Sequence, residues 1–321
     1  MKYKILVTGG SGFIGTNLIQ LLHEKNIEIL NIDIKKPLLN DHLSYWQDCD
    51  ILNFQDLKEV ISNYSPLQVI HLAAKTDTIS QILEDYDVNI QGTRNLIEVC
   101  NKVDSVEKIV ITSTQYVYRD LLNPYPQSDT CFKPHTIYGN SKVMTEKITR
   151  EFCKKNFIII RPTNIWGPYN YNYANGLFSM IKKGLFVLPR GSKTIKSYGY
   201  IKNICYQIIS ILDDIDSVNC VYYVGEESIV ANMWASEISK AITGKPPIKI
   251  PKFLLFMVAL LGELLKKMNL NFPFYLTRYK NMTEDYDVPI KKTITKFDLM
   301  YKDLNENINE TIKWYKNEYE N

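Results

Sequence analysis

Tyr138 and Lys142 stand four residues apart in Tyr138-Gly-Asn-Ser-Lys142. On a helix that spacing puts both side chains on one face. An ammonium one turn from a phenol favours the phenolate and draws the tyrosine pKa down from about 10. A tyrosine so tuned becomes a general acid or base near neutral pH. Tyr-x-x-x-Lys alone describes many surface helices, so a second signal is needed. Ile111-Thr-Ser-Thr-Gln-Tyr-Val-Tyr118 supplies it. An apolar strand ends there in hydroxyl residues, at the carboxyl edge where ligands bind in parallel sheets. Thr114 could hydrogen-bond a reacting oxygen beside Tyr138, although capping of the strand end is the plainer role for Thr112, Ser113 and Thr114.

A third feature opens the chain. The apolar run Ile5-Leu6-Val7 leads into Thr8-Gly9-Gly-Ser-Gly12-Phe-Ile-Gly15, where helical periodicity begins at Phe13 and Ile14. Gly9 permits a tight turn, Gly12 leaves room for a pyrophosphate against the backbone, and Gly15 lets the helix pack close to the strand. The helix N-terminus offers free N–H groups and a partial positive charge to phosphates. Asp33 ends a second strand about twenty residues further on, as the dinucleotide fingerprint requires. Its carboxylate can accept hydrogen bonds from an adenosine ribose and repels a 2′-phosphate, which favours NAD over NADP. Lys35 and Lys36 follow closely and weaken that preference.

The elements that must hold these residues alternate along the first half. Strands are expected over 27–33, 67–72, 108–113 and 157–160, with helices after Asp56 and over 86–100 and 138–154. Near-continuous apolar strands separated by helices predict an α/β fold, a doubly wound parallel (Rossmann) sheet covered on both faces. From residue 164 the pattern turns mostly helical, over 176–183, 201–212, 234–242, 253–265 and 304–315. A cofactor-binding domain over 1–163 and a mainly substrate-binding lobe over 164–321 follow. Val221-Tyr-Tyr-Val224 reads as a strand that could return to the main sheet.

Composition narrows the class. The 321 residues are 45% hydrophobic and 23% charged, with a net charge of +3, as in ordinary globular proteins. The lysines are scattered, so no nucleic-acid partner is expected. The six cysteines include no Cys-x-x-Cys, and the four histidines lie apart, so no metal site is expected. Cysteines in apolar runs fit buried thiols in a reducing cytoplasm, and no secretory signal precedes the first strand. The run Phe253–Leu265 is too short to span a bilayer. A helix buried in the core or in a subunit interface is the expectation, and membrane contact is not, with a surface contact through 253–265 as the rival reading.

Taken together, these motifs resemble the extended short-chain dehydrogenases/reductases of the NAD-dependent epimerase/dehydratase type, which act on nucleotide sugars. The likeness covers most of the chain. It implies NAD as the cofactor, with contacts from Gly9, Gly12, Phe13, Ile14, Gly15 and Asp33. It also implies Asp50 and Ile51 at the adenine, and Leu72, Ala73, Ala74 and Lys75 along the cofactor. Asn89 is similar to the family's structural and active-site asparagine. Thr114, Tyr138 and Lys142 match the catalytic triad, in which Lys142 also holds the nicotinamide ribose. Arg161-Pro162-Thr163-Asn164 resembles the segment beside the nicotinamide, with Pro162 on the cofactor and Asn164 near the sugar diphosphate. Lys196 falls where the family usually places an arginine clamp; a lysine supplies charge there but no bidentate fork.

The chemistry so implied is an epimerase working through a transient keto-sugar by reversible hydride transfer, in a homodimer joined through two helices per subunit. Where 4,6-dehydratases carry an acid pair after the threonine, this chain has Gln115 and Tyr116, which disfavours dehydration. The rivals are a reductase or dehydrogenase of a nucleotide-linked keto-sugar or sterol-like substrate, and a non-catalytic NAD-binding sensor or assembly protein on the same fold. The intact Thr114, Tyr138 and Lys142 argue against the sensor.

Overall fold

A computed structural model describes residues 4–78, 80–120, 124–268, 270, 272 and 274–320. The chain forms two compact units. The first comprises Met1–Ile165, Gly199–Glu226 and Val288–Met300; the second comprises Trp166–Tyr198, Glu227–Asp287 and Tyr301–Asn321.

The first unit carries β1 (Lys4–Thr8), α1 (Phe13–Glu24), β2 (Glu28–Asp33), β3 (Trp46–Asp48), α2 (Phe54–Tyr64), β4 (Gln68–His71), α3 (Asp87–Lys102), β5 (Lys108–Thr112), α4 (Ile137–Phe152) and β6 (Asn156–Pro162). These strands and Val221–Val224 make a seven-stranded sheet in the order Val221–Val224, β6, β5, β4, β1, β2, β3, with every pairing parallel. Ile5, Leu6 and Val7, and likewise Ile109, Val110 and Ile111, are fully buried in succession. Such strands show no alternation because both faces of the sheet are covered. The late strand does return to the sheet: Val221 lies opposite Ile159 and Val224 opposite Pro162. The strand order reverses between β1 and β4, the switch point at which such sheets open a crevice at their carboxyl ends.

Local chemistry sets the helix starts. Asn53 caps α2 by accepting from the Asp56 N–H, and Thr136 caps α4 by accepting from the Gly139 N–H. The first turn of α1 has no side-chain cap. The N-cap residue Gly12 therefore offers the first N–H groups of the helix no side-chain acceptor.

The second unit has an aromatic centre. The Trp234 ring stacks on Tyr198 at 4.6 Å and meets Trp166 and Tyr173 edge-on at 5.8 and 5.7 Å. Two small strand pairs, Ile195–Lys196 with Ile229–Val230 and Val187–Pro189 with Ile248–Ile250, brace helices Ala231–Thr243, Lys252–Lys267, Leu276–Thr283 and Leu304–Glu320. No described helix is long and apolar enough to cross a membrane. Of the two expected places of burial for 253–265, the core or a subunit interface, the core is not the one found within the chain. Lys252–Lys267 buries only Leu255, Ala259 and Gly262, because just that narrow stripe fits against the unit. A Cβ at position 262 would stand 1.9 Å from the Phe274 carbonyl oxygen.

One half-buried acid of the first unit gives the fold a pH dependence. Asn203 donates its amide to the Glu226 carboxyl, yet burial pushes that carboxyl up to about 7. The folded chain holds this proton longer than the unfolded chain does. The group's contribution is therefore complete at low pH and lost as pH rises from the ordinary carboxyl value through 7. Glu226→Gln keeps the Asn203 contact and removes the charge. It is expected to stabilise the chain by about 2–3 kcal/mol at pH 8 and little at pH 4.5, as read from urea unfolding midpoints at the two pH values.

Candidate active site

The opening turn is built by close approach. Gly9 has φ +72°, and a Cβ there would lie 2.5 Å from the Ala73 nitrogen. At Gly15 a Cβ would lie 2.4 Å from the Gly10 Cα. Gly12 differs: among the described residues the Gly9 carbonyl oxygen at 3.3 Å is the one neighbour its Cβ would meet, so its outer side is open. Phe13, Ile14 and Gly15 form the uncapped first turn of α1. Asp33 ties this turn to the end of β2. Its Oδ2 accepts from the Ser11 N–H at 3.0 Å and its Oδ1 from the Lys35 N–H at 2.9 Å. Burial raises the Asp33 pKa, and those two N–H groups oppose the rise.

The loop after β4 is brought against the same turn. Leu72 N–H donates to the Thr8 carbonyl at 3.0 Å. Beneath it runs a chain of buried hydrogen bonds whose directions the partners dictate. Thr93 Oγ1 donates to the Asn89 carbonyl at 2.6 Å, so it accepts from His71 Nε2 at 3.0 Å. His71 Nδ1 is then left to accept from Thr8 Oγ1 at 2.7 Å, and that oxygen accepts from the Ala73 N–H at 3.2 Å. The network thus assigns the Nε2–H tautomer. Burial pushes His71 down to about 3, so it stays a neutral bridge. Asn89 holds the far end of the loop. Its Oδ1 accepts from the Lys75 N–H at 2.8 Å, and its Nδ2 donates to the Lys75 carbonyl and the Ser141 hydroxyl, both at 3.0 Å. In this structure Asn89 is therefore a clamp between the loop and α4, with both amide hydrogens engaged by protein.

Tyr138 and Lys142 lie on α4, both buried. Lys142 Nζ donates to the Thr112 carbonyl at 2.8 Å. Burial lowers its pKa to about 8, with the Glu146 carboxylate pulling the other way. The expectation that Lys142 draws the Tyr138 pKa down is corrected here. Burial pushes the phenol well above its ordinary value. The Thr114 hydroxyl bond favours the phenolate, while the neighbouring Tyr116 and Tyr86 oppose it. Those two rings lie 6.2 and 6.1 Å from the Tyr138 ring. Thr114 Oγ1 accepts from the Tyr116 N–H at 3.3 Å, which leaves its proton for the phenol oxygen.

A buried ion pair supports this layer. Arg161 donates through Nε and Nη2 to the two oxygens of Glu146, each at 2.8 Å, and through Nη1 to the Tyr223 hydroxyl at 3.1 Å. Ser113 Oγ donates to Glu146 Oε1 at 2.6 Å. Gln115 donates its amide to Asn164 Oδ1 at 3.1 Å, so it orients one of the expected substrate residues. Pro162 ends β6 and is buried. Of the expected adenine pair, Asp50 is exposed and accepts from the Leu52 N–H at 2.9 Å. The Ile51 side chain is core, wedged where a Cβ on Gly92 would otherwise sit. Lys196 lies in the second unit, buried on its short strand opposite Ile229.

Sequence reasoning missed the roles of His71, Gln115, Ser141 and Glu146. Two signals were present. Glu146 repeats the four-residue spacing from Lys142, and Arg161 directly follows the apolar run Phe157–Ile160, where a charge demands a partner.

A doubly wound sheet with an open glycine turn at its switch point and a Thr–Tyr–Lys cluster beside it defines a dinucleotide-dependent enzyme fold. The sequence model of the NAD dependent epimerase/dehydratase family matches residues 5–225, and the chain belongs to that family. The N-acetyl-alpha-D-glucosaminyl-diphospho-ditrans,octacis-undecaprenol 4-epimerase of Escherichia coli O157:H7 is 30% identical over 254 residues, covering 77% of this chain and 75% of the relative. The UDP-glucuronate 4-epimerase of Thermodesulfobacterium geofontis is 27% identical over 289 residues, covering 83% of each. In fold, the chain superposes on the Thermotoga maritima UDP-glucose 4-epimerase, solved with UDP-glucose. The TM-score is 0.75 at 20% identity, over 98% of this chain and 99% of that one. NAD is the family's cofactor, and the residues present fit it: Gly12 is open where a phosphate must approach, α1 starts uncapped, and a carboxylate stands at the end of β2.

The Arg161–Glu146 pair is expected to be needed as a pair. Glu146→Gln leaves a buried guanidinium uncompensated and should lower stability by about 3 kcal/mol. Adding Arg161→Met should restore more than half of that loss in urea denaturation.

Proposed function

We propose that the chain is an NAD-dependent nucleotide-sugar epimerase that works through a transient keto-sugar by reversible hydride transfer. The observation that carries this reading is the Tyr138 phenol, buried beside the Thr114 hydroxyl, with the Lys142 ammonium fixed one turn away on the Thr112 carbonyl. Tyr138 takes the proton of a sugar hydroxyl and later returns it. Thr114 donates to the phenol oxygen and so favours the phenolate. Lys142 is protonated below about pH 8, which adds a positive charge at the site and a donor for the cofactor ribose. Bound NAD supplies a hydride acceptor that gives the hydride back. Both curated relatives named above are 4-epimerases of diphosphate-linked sugars, which supports the reaction class. Gln115, in the position of a dehydratase acid, donates to Asn164 and supplies no acid for eliminating water.

Under this reading Gly9, Gly12, Phe13, Ile14, Gly15, Asp33, Asp50, Ile51, Leu72–Lys75 and Pro162 form the cofactor cradle, with Asn89 as its clamp. Asn164 and Lys196 serve the sugar diphosphate. The protein works in the cytoplasm as a homodimer through α3 and α4, which pack on each other within one subunit.

The test is a screen of UDP-, GDP-, dTDP- and CDP-sugars with products read by NMR. An epimer formed without net NADH absorbance supports the proposal. Net oxidation of added NADH transfers the reading to a reductase, and no turnover of any sugar removes it. Tyr138→Phe is expected to lower kcat by about 10²–10⁴-fold while NAD binding, measured by calorimetry, is kept. Near-normal turnover in that variant would show that another group moves the proton.

A further inference from the structure

Helix Lys252–Lys267 turns a narrow stripe of one leucine and two small residues inward and most of its large residues outward. Leu255, Ala259 and Gly262 are buried. Phe253, Met257, Leu261, Leu264 and Met268, spaced three or four residues apart, are 66%, 60%, 52%, 59% and 68% exposed. Leu254 and Val258 extend the same face and are exposed too. No charged residue interrupts it; the charges stand at its ends and edges, as Lys252, Glu263, Lys266 and Lys267. Lys266 and Arg278 both lie over the Tyr275 ring, at 4.9 and 5.7 Å from its centre, and Ile248 and Lys249 are exposed on the strand just before the helix.

We propose that this face docks the protein on an anionic lipid bilayer surface. A contiguous apolar face of this size marks an interaction site. The helix is about 24 Å long, so it lies flat in the headgroup boundary and does not span. Charge selects the partner. Residues 245–280 hold seven basic side chains and one acidic, a net of +6, whereas the whole chain carries +3; the remainder is therefore net negative. A second copy placed face to face would set two such cationic segments against each other. An anionic bilayer accepts the apolar side chains in its acyl boundary and the lysines, with their stems lying along it, at its phosphates.

The experiment is flotation of the full chain with vesicles of phosphatidylglycerol and phosphatidylcholine, or of phosphatidylcholine alone, at low and high salt. The readout is lipid binding, so it stands or falls apart from turnover. Wild type is expected to float with the anionic vesicles, less so at high salt. Met257→Glu with Leu261→Glu, and separately Lys266→Glu with Lys267→Glu, should each lower the bound fraction at least about tenfold. These side chains are exposed, so circular dichroism should be unchanged. Absence of flotation at low salt would overturn the proposal, as would flotation indifferent to both variants. So would light scattering that shows a self-assembly dissolved by Met257→Glu with Leu261→Glu, because the face would then belong to a second copy.

Discussion

The clamp made by Asn89 is the constraint on which the site depends. One side chain fixes the Lys75 backbone at both its N–H and its carbonyl, and reaches the Ser141 hydroxyl on α4. Ser141 in turn donates to the Tyr138 carbonyl at 2.7 Å. The loop that faces the glycine turn and the helix that carries the phenol are therefore held by the same carboxamide. The other end of the loop is held through Thr8, His71 and Thr93, which lead back to the Asn89 carbonyl. A buried polar chain with each member satisfied is rigid, because breaking any link leaves a desolvated donor or acceptor. That rigidity is what a reaction geometry requires of its supports.

Electrostatics along α4 follow from the same economy of space. Tyr138, Lys142 and Glu146 repeat at one-turn spacing on a buried face. For Tyr138 and Lys142 burial opposes the charged form, and the outcomes differ because the partners differ. Glu146 has two guanidinium nitrogens and a hydroxyl, so its charge is fully answered. Lys142 has a carbonyl and a carboxylate one turn on, and its pKa falls only to about 8. Tyr138 has a hydroxyl and two aromatic neighbours, and it keeps its proton. In the free chain the Thr114 hydroxyl favours the phenolate, and burial outweighs it.

Much of this was legible in the residues. Ile5-Leu6-Val7 and Thr8 to Gly15 announced a strand, a turn and a helix because each glycine has a steric reason, and the structure shows those reasons as clashes of 2.4–2.5 Å at two of them. The sheet followed from unbroken apolar runs. β3 did not, because Trp46-Gln47-Asp48 has too few residues to show a period and its strand character comes from pairing beside β2. For Asn89 the resemblance implied a structural and an active-site role together, and the residues alone did not name its partners. A sequence names Asn89, but a cofactor contact and a loop clamp use the same amide, and only the partners tell them apart. The lysine effect on Tyr138 failed for a related reason: spacing gives a shared face, whereas burial, which decides the pKa, is a property of the folded surroundings.

Two apolar helices show the limit of hydropathy as a guide to burial. Ile201–Asp213 hides nine residues, Asn203 and Gln207 among them, and its amides bond to Glu226 and to the Gly225 backbone. Lys252–Lys267 is as apolar, yet it hides three. A helix packed for the stability of its own core presents its largest side chains inward, since burial free energy grows with apolar area. Here Ala259 and Gly262 make the close approach while phenylalanine, methionine and leucine face out. Among the described residues, packing within the chain does not account for those large side chains. Their free energy is realised only against a second apolar phase, and the lysines that bound the face restrict which phase that is.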